Sequence, residues 1–198
     1  MILGVTGYIG AGKEEFVKIL ERKYEFVRIE FKDAIVREAR RRGLDINDRL
    51  ALQDLGKKVE EEEGGRVWAG RVMNGIGVRR YNNPTENYVV ECFRTEQQVR
   101  AFREKYGDDF YLVAITADFD IRWGRVRERG KPGDPELLAD FKLVDDRDRG
   151  RGVNPTQNTD WCVRKGANYI LLNDHHYLPN FKRDVTIFMR DELKISKP

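Results

Sequence analysis

Seven residues near the start of the chain, Gly7-Tyr8-Ile9-Gly10-Ala11-Gly12-Lys13, follow the spacing GxxxxGK. Glycines at these intervals let successive backbone N–H groups turn inward around phosphate oxygens, and the ammonium that follows neutralises their charge. The surroundings fit. Ile2-Leu3-Gly4-Val5-Thr6 reads as a strand before the loop, and Phe16, Ile19, Leu20 and Lys23, at i, i+3, i+4 and i+7, read as an amphipathic helix after it. Gly7 to Lys13, together with Glu14, are therefore the expected nucleotide-binding residues, with ATP or GTP as ligand. Glu14 stands where a Ser or Thr hydroxyl ordinarily reaches Mg²⁺. Two readings of it stay open: a metal ligand, or an acid that stabilises the first helical turn.

Glu91-Cys92-Phe93-Arg94 follows another β-rich run, Tyr88-Val89-Val90. Ligands of parallel sheets gather at the C-terminal ends of strands. There Glu91 would orient Mg²⁺ or accept a proton from an attacking oxygen, and Arg94 would grip an anionic acceptor; a surface ion pair is the competing reading. Asp33 and Arg37 are four apart and share a helical face, placing Arg37 for an acceptor phosphate and Asp33 for an acceptor hydroxyl. Arg40, Arg41 and Arg42 point to different sides and read as solvated. Arg122, Arg125 and Arg129 share one face of a basic helix running from Asp118 to Arg129, with Arg127 off it. Phosphoryl transfer depends on fixed positive charge around the migrating group, so Arg122 and Arg129 join Lys13 and Glu91 as expected catalytic residues. In the alternative, Trp123 and Val126 pack while the arginines meet Asp145, Asp146 or Asp148. His175-His176 are adjacent and do not share a helical face, so they are not expected to hold a metal. Asn173-Asp174 would face a nucleotide base or cap the last helix.

Something must position these groups. Five β-rich runs, at Ile2 to Thr6, Phe26 to Ile29, Tyr88 to Val90, Phe110 to Ile115 and Asn168 to Leu172, alternate with helix-length segments, which predicts a parallel sheet covered on both faces. Ala34 to Arg42, Asp48 to Glu63 and Arg66 to Ile76 read as helices over an acceptor pocket. Asn47 or Asp48 would start the second of these and Gly64-Gly65 would end it. Gly130-Lys131-Pro132-Gly133-Asp134-Pro135 breaks the basic helix into a flap. A single domain of 198 residues is expected, divided into a core (1–30, 86–120 and 160–198), an acceptor-binding helical section (31–85) and a lid region (121–159). The polar run around Asn154, Thr156 and Gln157 reads as a loop. With 37 Lys and Arg against 34 Asp and Glu, the charge of +3 is too small for a domain-wide basic field, so nucleic acid is not expected as the main partner. No apolar run approaches the ~20 residues of a membrane helix, the start lacks signal-peptide features, and Cys92 and Cys162 are isolated. These features lead us to expect a cytoplasmic protein. A homodimer is left open.

Together, Gly4-Val5-Thr6-Gly7-Tyr8-Ile9-Gly10-Ala11-Gly12-Lys13 resembles the opening of dephospho-coenzyme A kinases and deoxynucleoside monophosphate kinases. Phe31-Lys32-Asp33-Ala34-Ile35-Val36-Arg37-Glu38 is similar to their acceptor-side helix start, and Leu52-Gln53-Asp54-Leu55-Gly56 to the segment that follows. Arg129 to Pro135 resembles their flap, Asp145-Asp146-Arg147-Asp148 the run after it, and Ala167 to Asp174 their last strand. Glu91-Cys92-Phe93-Arg94 stands where that branch usually has Asp-Gly-Ile-Arg, so Cys92 adds a side chain where glycine would leave room. The resemblance implies a three-layer α/β/α P-loop kinase fold with a parallel five-stranded sheet of order 2-3-1-4-5. It further implies ATP- and Mg²⁺-dependent transfer of the γ-phosphoryl group to a nucleotide-like acceptor, a nucleoside or deoxynucleoside monophosphate. Dephospho-coenzyme A kinase is the near alternative. A slow NTPase acting as a nucleotide-dependent switch or assembly factor, which Glu14 would favour, is the other.

Overall fold

The structure, a computed structural model, describes residues 1–47, 49–151 and 157–195, without the side chains of residues 49, 50 and 53. The expected start at Asp48 and the run from Asn154 to Thr156 lie outside the described residues. Five parallel strands, β1 (Ile2–Gly7), β2 (Val27–Glu30), β3 (Tyr88–Glu91), β4 (Phe110–Thr116) and β5 (Tyr169–Leu172), take the order β2-β3-β1-β4-β5. β1 is central and buried throughout, because helices cover both sheet faces and every one of its side chains needs an apolar neighbour. Its register sets Val5 beside Glu91 on one flank and Gly7 beside Ile115 on the other. The C-terminal ends of three strands therefore meet at one mouth.

One core face packs α1 (Lys13–Tyr24) and α9 (Leu178–Asp191) on the sheet through Phe16, Leu20, Phe181 and Phe188. The opposite face holds α5 (Glu96–Tyr106) and the helical section α2 (Phe31–Arg41), α3 (Arg49–Glu63) and α4 (Val67–Asn82). Phe93 lies at its centre, 5.1 Å from Phe31, 4.9 Å from Phe102 and 5.5 Å from Phe110 between ring centroids. α3 ends at Glu63, followed by Gly64 at φ 95°, as the glycine pair predicts. α4 runs past the expected Ile76 to Asn82; its last turn carries exposed Val78 and Tyr81, so no apolar stripe marks its continuation. The remaining helices are α6 (Phe119–Arg129), α7 (Leu138–Asp148) and α8 (Thr159–Trp161). Among the described residues no helix is long and apolar enough to cross a membrane.

The arginine run at the end of α2 has a structural use. Glu38 is 5% exposed and takes Arg41, Arg42 and Arg71 onto its carboxylate, tying α2 to α4. These partners hold its pKa at about 2. A carboxylate depressed by folding stabilises the native state above its unfolded pKa, and that contribution drains away as pH falls toward the folded value. The stability gap between wild type and Glu38→Gln is therefore expected to be widest above pH 4.5 and to close toward pH 2, read from urea unfolding at each pH.

Candidate active site at the phosphate loop

Gly7, Gly10 and Gly12 hold φ of 137°, 78° and 102°, angles that disfavour any residue with a Cβ. Space forbids one too. A Cβ on Gly7 would lie 2.0 Å from the Ile115 carbonyl oxygen, and one on Gly10 2.6 Å from that of Arg122. The loop closes on itself through Ala11 N–H donating to Tyr8 O at 3.2 Å. α1 then starts at Lys13 with no side-chain cap, which leaves first-turn N–H groups for an anion. Lys13 Nζ folds over the loop and donates to Gly7 O at 2.7 Å and Tyr8 O at 2.8 Å. Burial lowers its pKa, with Cys92 and Asp148 pulling the other way.

The arginines of α6 are engaged within the chain. Arg122 is 1% exposed and lies under the loop, not over it. It pairs with Asp145 through two bonds of 2.6 and 2.9 Å and donates to the carbonyls of Ile9 and Ala117. A glycine-rich loop leaves carbonyls without helix or strand partners, and a guanidinium has enough donors to take up several at once. Arg125 does the same for Asn173 O and His175 O at 2.9 and 2.7 Å, and Arg129 is held by Asp134 at 2.7 and 2.8 Å. Trp123 stacks on Phe141 and Val126 is buried.

On the other side of the mouth, Phe93 N–H donates to Val5 O and Thr6 Oγ1 donates to Phe93 O, locking the segment after β3 against β1. Arg94 is 44% exposed, 3.5 Å from Asp148 and 3.1 Å from Gln157 Oε1. A capping box between Thr95 and Gln98 starts α5 directly after it, and Gln98 Oε1 also accepts from Arg94 N–H. Glu91 is 6% exposed and bonded to Arg28 from the edge strand; burial raises its pKa and Arg28 opposes the rise. Asp33 and Arg37 lie exposed on α2, bonded neither to each other nor to Arg94, Glu91 or Lys13.

Glu14 has both oxygens engaged, by Lys131 at 2.8 Å and Lys18 at 3.0 Å, and these cations hold its pKa at about 2. Among the described residues no cluster of three or more His, Cys, Asp or Glu could hold a metal ion. Mg²⁺ commonly takes one or two carboxylates and fills its shell with phosphate oxygens and water, a pattern that Glu91 fits. Asn173 does not cap α9, whose N-cap is Tyr177; its amide donates to Ala11 O at 2.9 Å and braces the loop. Asp174 accepts from Asp118 N–H, and His175 pairs with Asp184.

Sequence reasoning gave no role to Arg149 and Asp160. Tyr8 of the loop is 8% exposed, with Asp160 on its hydroxyl and the Arg149 guanidinium 4.3 Å from its ring centroid. Asp148 is 7% exposed beside Arg94. The charge density from Asp145 to Arg151 was a signal, but the partners come from distant segments.

Cys92 has φ 68°, the left-handed backbone for which glycine is suited. That backbone costs an L-residue about 1–2 kcal/mol, of which glycine's extra unfolded-state entropy would give back about 0.5–1. Cys92→Gly is expected to raise the unfolding free energy by about 0.5–1 kcal/mol, read from a higher denaturant midpoint at unchanged m.

A family model described as an AAA domain matches residues 3–137. A UPF0200 protein of Methanopyrus kandleri is 30% identical over 201 residues, covering 98% of this chain and 91% of that protein; one of Pyrococcus abyssi is 28% identical, covering 96% of each. Among solved structures, shikimate kinase from Bacteroides thetaiotaomicron superposes with TM-score 0.56 at 17% identity, covering 98% of this chain and 99% of that one. Dephospho-CoA kinase from Campylobacter jejuni gives 0.54 at 14%, covering 96% of each. The shared architecture is the P-loop kinase fold. With its AAA domain and its relative in Methanopyrus, the chain belongs to the UPF0200 family.

Proposed function

We propose that this protein is an ATP-dependent phosphotransferase that moves the γ-phosphoryl group to a nucleotide-like acceptor, a nucleoside or deoxynucleoside monophosphate. The observation that carries the reading is the three-glycine cradle with Lys13 at an uncapped helix start, opening beside Glu91 and Arg94. The inward amides and Lys13 hold the donor phosphates, and Arg94, with Arg37 and Asp33 of α2, holds the acceptor. An acceptor oxygen attacks the γ-phosphorus, the bond to the β–γ bridging oxygen breaks, and ADP leaves. The acceptor's proton passes to Glu91, whose raised pKa suits it to receive one. Mg²⁺, which Glu91 would help to hold, would supply neutralisation of the phosphate charge. Residues 31–85 serve as the acceptor section and 121–159 as the lid. The free thiols of Cys92 and Cys162 suit a reducing, cytoplasmic setting.

ADP formation is to be measured against nucleoside monophosphates, deoxynucleotides and dephospho-coenzyme A. At least one acceptor is expected to raise the rate well above the acceptor-free background, and preference within the panel separates the two kinase readings. Tight nucleotide binding with no stimulation by any of them would overturn the reading in favour of a slow NTPase switch, which the lysine-held Glu14 favours.

A further inference from the structure

The lid loop after α6 is organised around one carboxylate. Asp134 takes Arg129 by two bonds and the Lys131 backbone N–H by a third, while its own N–H donates to Lys131 O at 2.9 Å. Gly130 and Gly133 turn the chain at φ 49° and 83°. The result is a preformed tip that presents one side chain, Lys131, to the first turn of α1. There its ammonium meets Glu14, the residue directly after the phosphate-loop lysine.

The arginines of α6's inner face are committed. Arg122 and Arg125 donate to the loop carbonyls of Ile9 and Gly10, and Arg129 is held by Asp134. Lys131 differs because its partner is half-exposed: the pair is 55% and 47% accessible. Exposed ion pairs contribute about 0–1 kcal/mol, so Lys131 is weakly held, and a terminal phosphate offers it up to two negative charges in place of one. A triphosphate in the cradle would bring its charge to the start of α1, where the Lys131 ammonium already meets Glu14. Exchange of Glu14 for phosphate is thus downhill, and Lys18 remains to neutralise the carboxylate left behind.

We infer that Lys131 is the lid residue that binds the terminal phosphate of the donor, and that Glu14 is the carboxylate on which it waits rather than a metal ligand. The inference rests on the phosphotransferase reading of the same site. It accounts for a carboxylate at the position where a hydroxyl ordinarily meets the metal.

Titration calorimetry on the full chain, with a non-hydrolysable ATP analogue and with ADP, each with Mg²⁺ and with chelator, tests it. Lys131→Ala is expected to weaken the triphosphate about tenfold while leaving ADP within about twofold, and Lys131→Arg to restore most of the loss. Glu14→Gln is expected to tighten the triphosphate severalfold with its Mg²⁺ dependence unchanged. Equal effects of Lys131→Ala on both nucleotides, or none on either, would overturn the inference alone. So would a loss of affinity in Glu14→Gln that appears only with Mg²⁺, which would make Glu14 a metal ligand. Failure of the wild-type chain to bind either nucleotide would overturn the inference and the phosphotransferase reading together.

Discussion

Lys13→Ala is expected to lower the acceptor-dependent rate of ADP formation by about 100- to 1000-fold, the usual loss when one preorganised donor to a developing charge is removed. Its fold should persist. The side chain's two hydrogen bonds go to the carbonyls of Gly7 and Tyr8, while the cradle is held by Asn173, Arg122 and Arg125. A melting temperature near that of wild type beside a collapsed rate would separate lost chemistry from lost structure. The same residue sets a pH limit. Burial disfavours the charged form, so Lys13 loses its proton at lower pH than a free lysine. Triphosphate affinity should therefore weaken as pH rises through that lowered value, and Lys13→Ala should abolish this alkaline limb. A rate unaffected by Lys13→Ala would remove the cradle from the mechanism.

Arg122→Ala is expected to be among the most destabilising substitutions in the chain, costing about 3–5 kcal/mol. Asp145, 2% exposed, would be left as a buried charge without its bidentate partner, and the carbonyls of Ile9 and Ala117 would lose their donor. For a chain of this size that corresponds to a melting temperature lower by roughly 6–20 °C. Replacing the pair by Arg122→Met with Asp145→Leu should recover most of the loss, because the desolvation of two charges is removed along with their attraction. The double variant also decides what Arg122 is for. Nucleotide affinity close to wild type makes it a brace for the loop, and a large loss of affinity or rate in the folded double variant restores it to the catalytic set. Melting of Arg122→Ala at the wild-type temperature would contradict the buried-pair account.

Strand and helix positions were legible because their signals are local. The apolar runs of β1 to β5, the glycine spacing before α1 and the glycine pair after α3 act through neighbours a few residues away. At Cys92 the resemblance marked only a side chain added where glycine would leave room; that the backbone there is left-handed, at φ 68°, the structure alone shows. The helical face shared by Arg122, Arg125 and Arg129 was legible as a face with two readings, phosphate or nearby carboxylates, and the structure sets Arg122 on Asp145, one of the carboxylates named. Periodicity says which side chains point together and nothing about the surface opposite.

The sequence by itself determined an anion cradle between a buried strand and a helix, in a parallel α/β frame, because glycine, lysine and apolar periodicity express their preferences over a handful of residues. The tertiary structure alone decided the allegiance of each charge. Asp145 went to Arg122, Glu38 to three arginines and Lys131 to Glu14. Ionic partners are chosen by proximity in the folded chain, over separations as large as the 117 positions between Glu14 and Lys131, and short-range pattern carries no information about such distances.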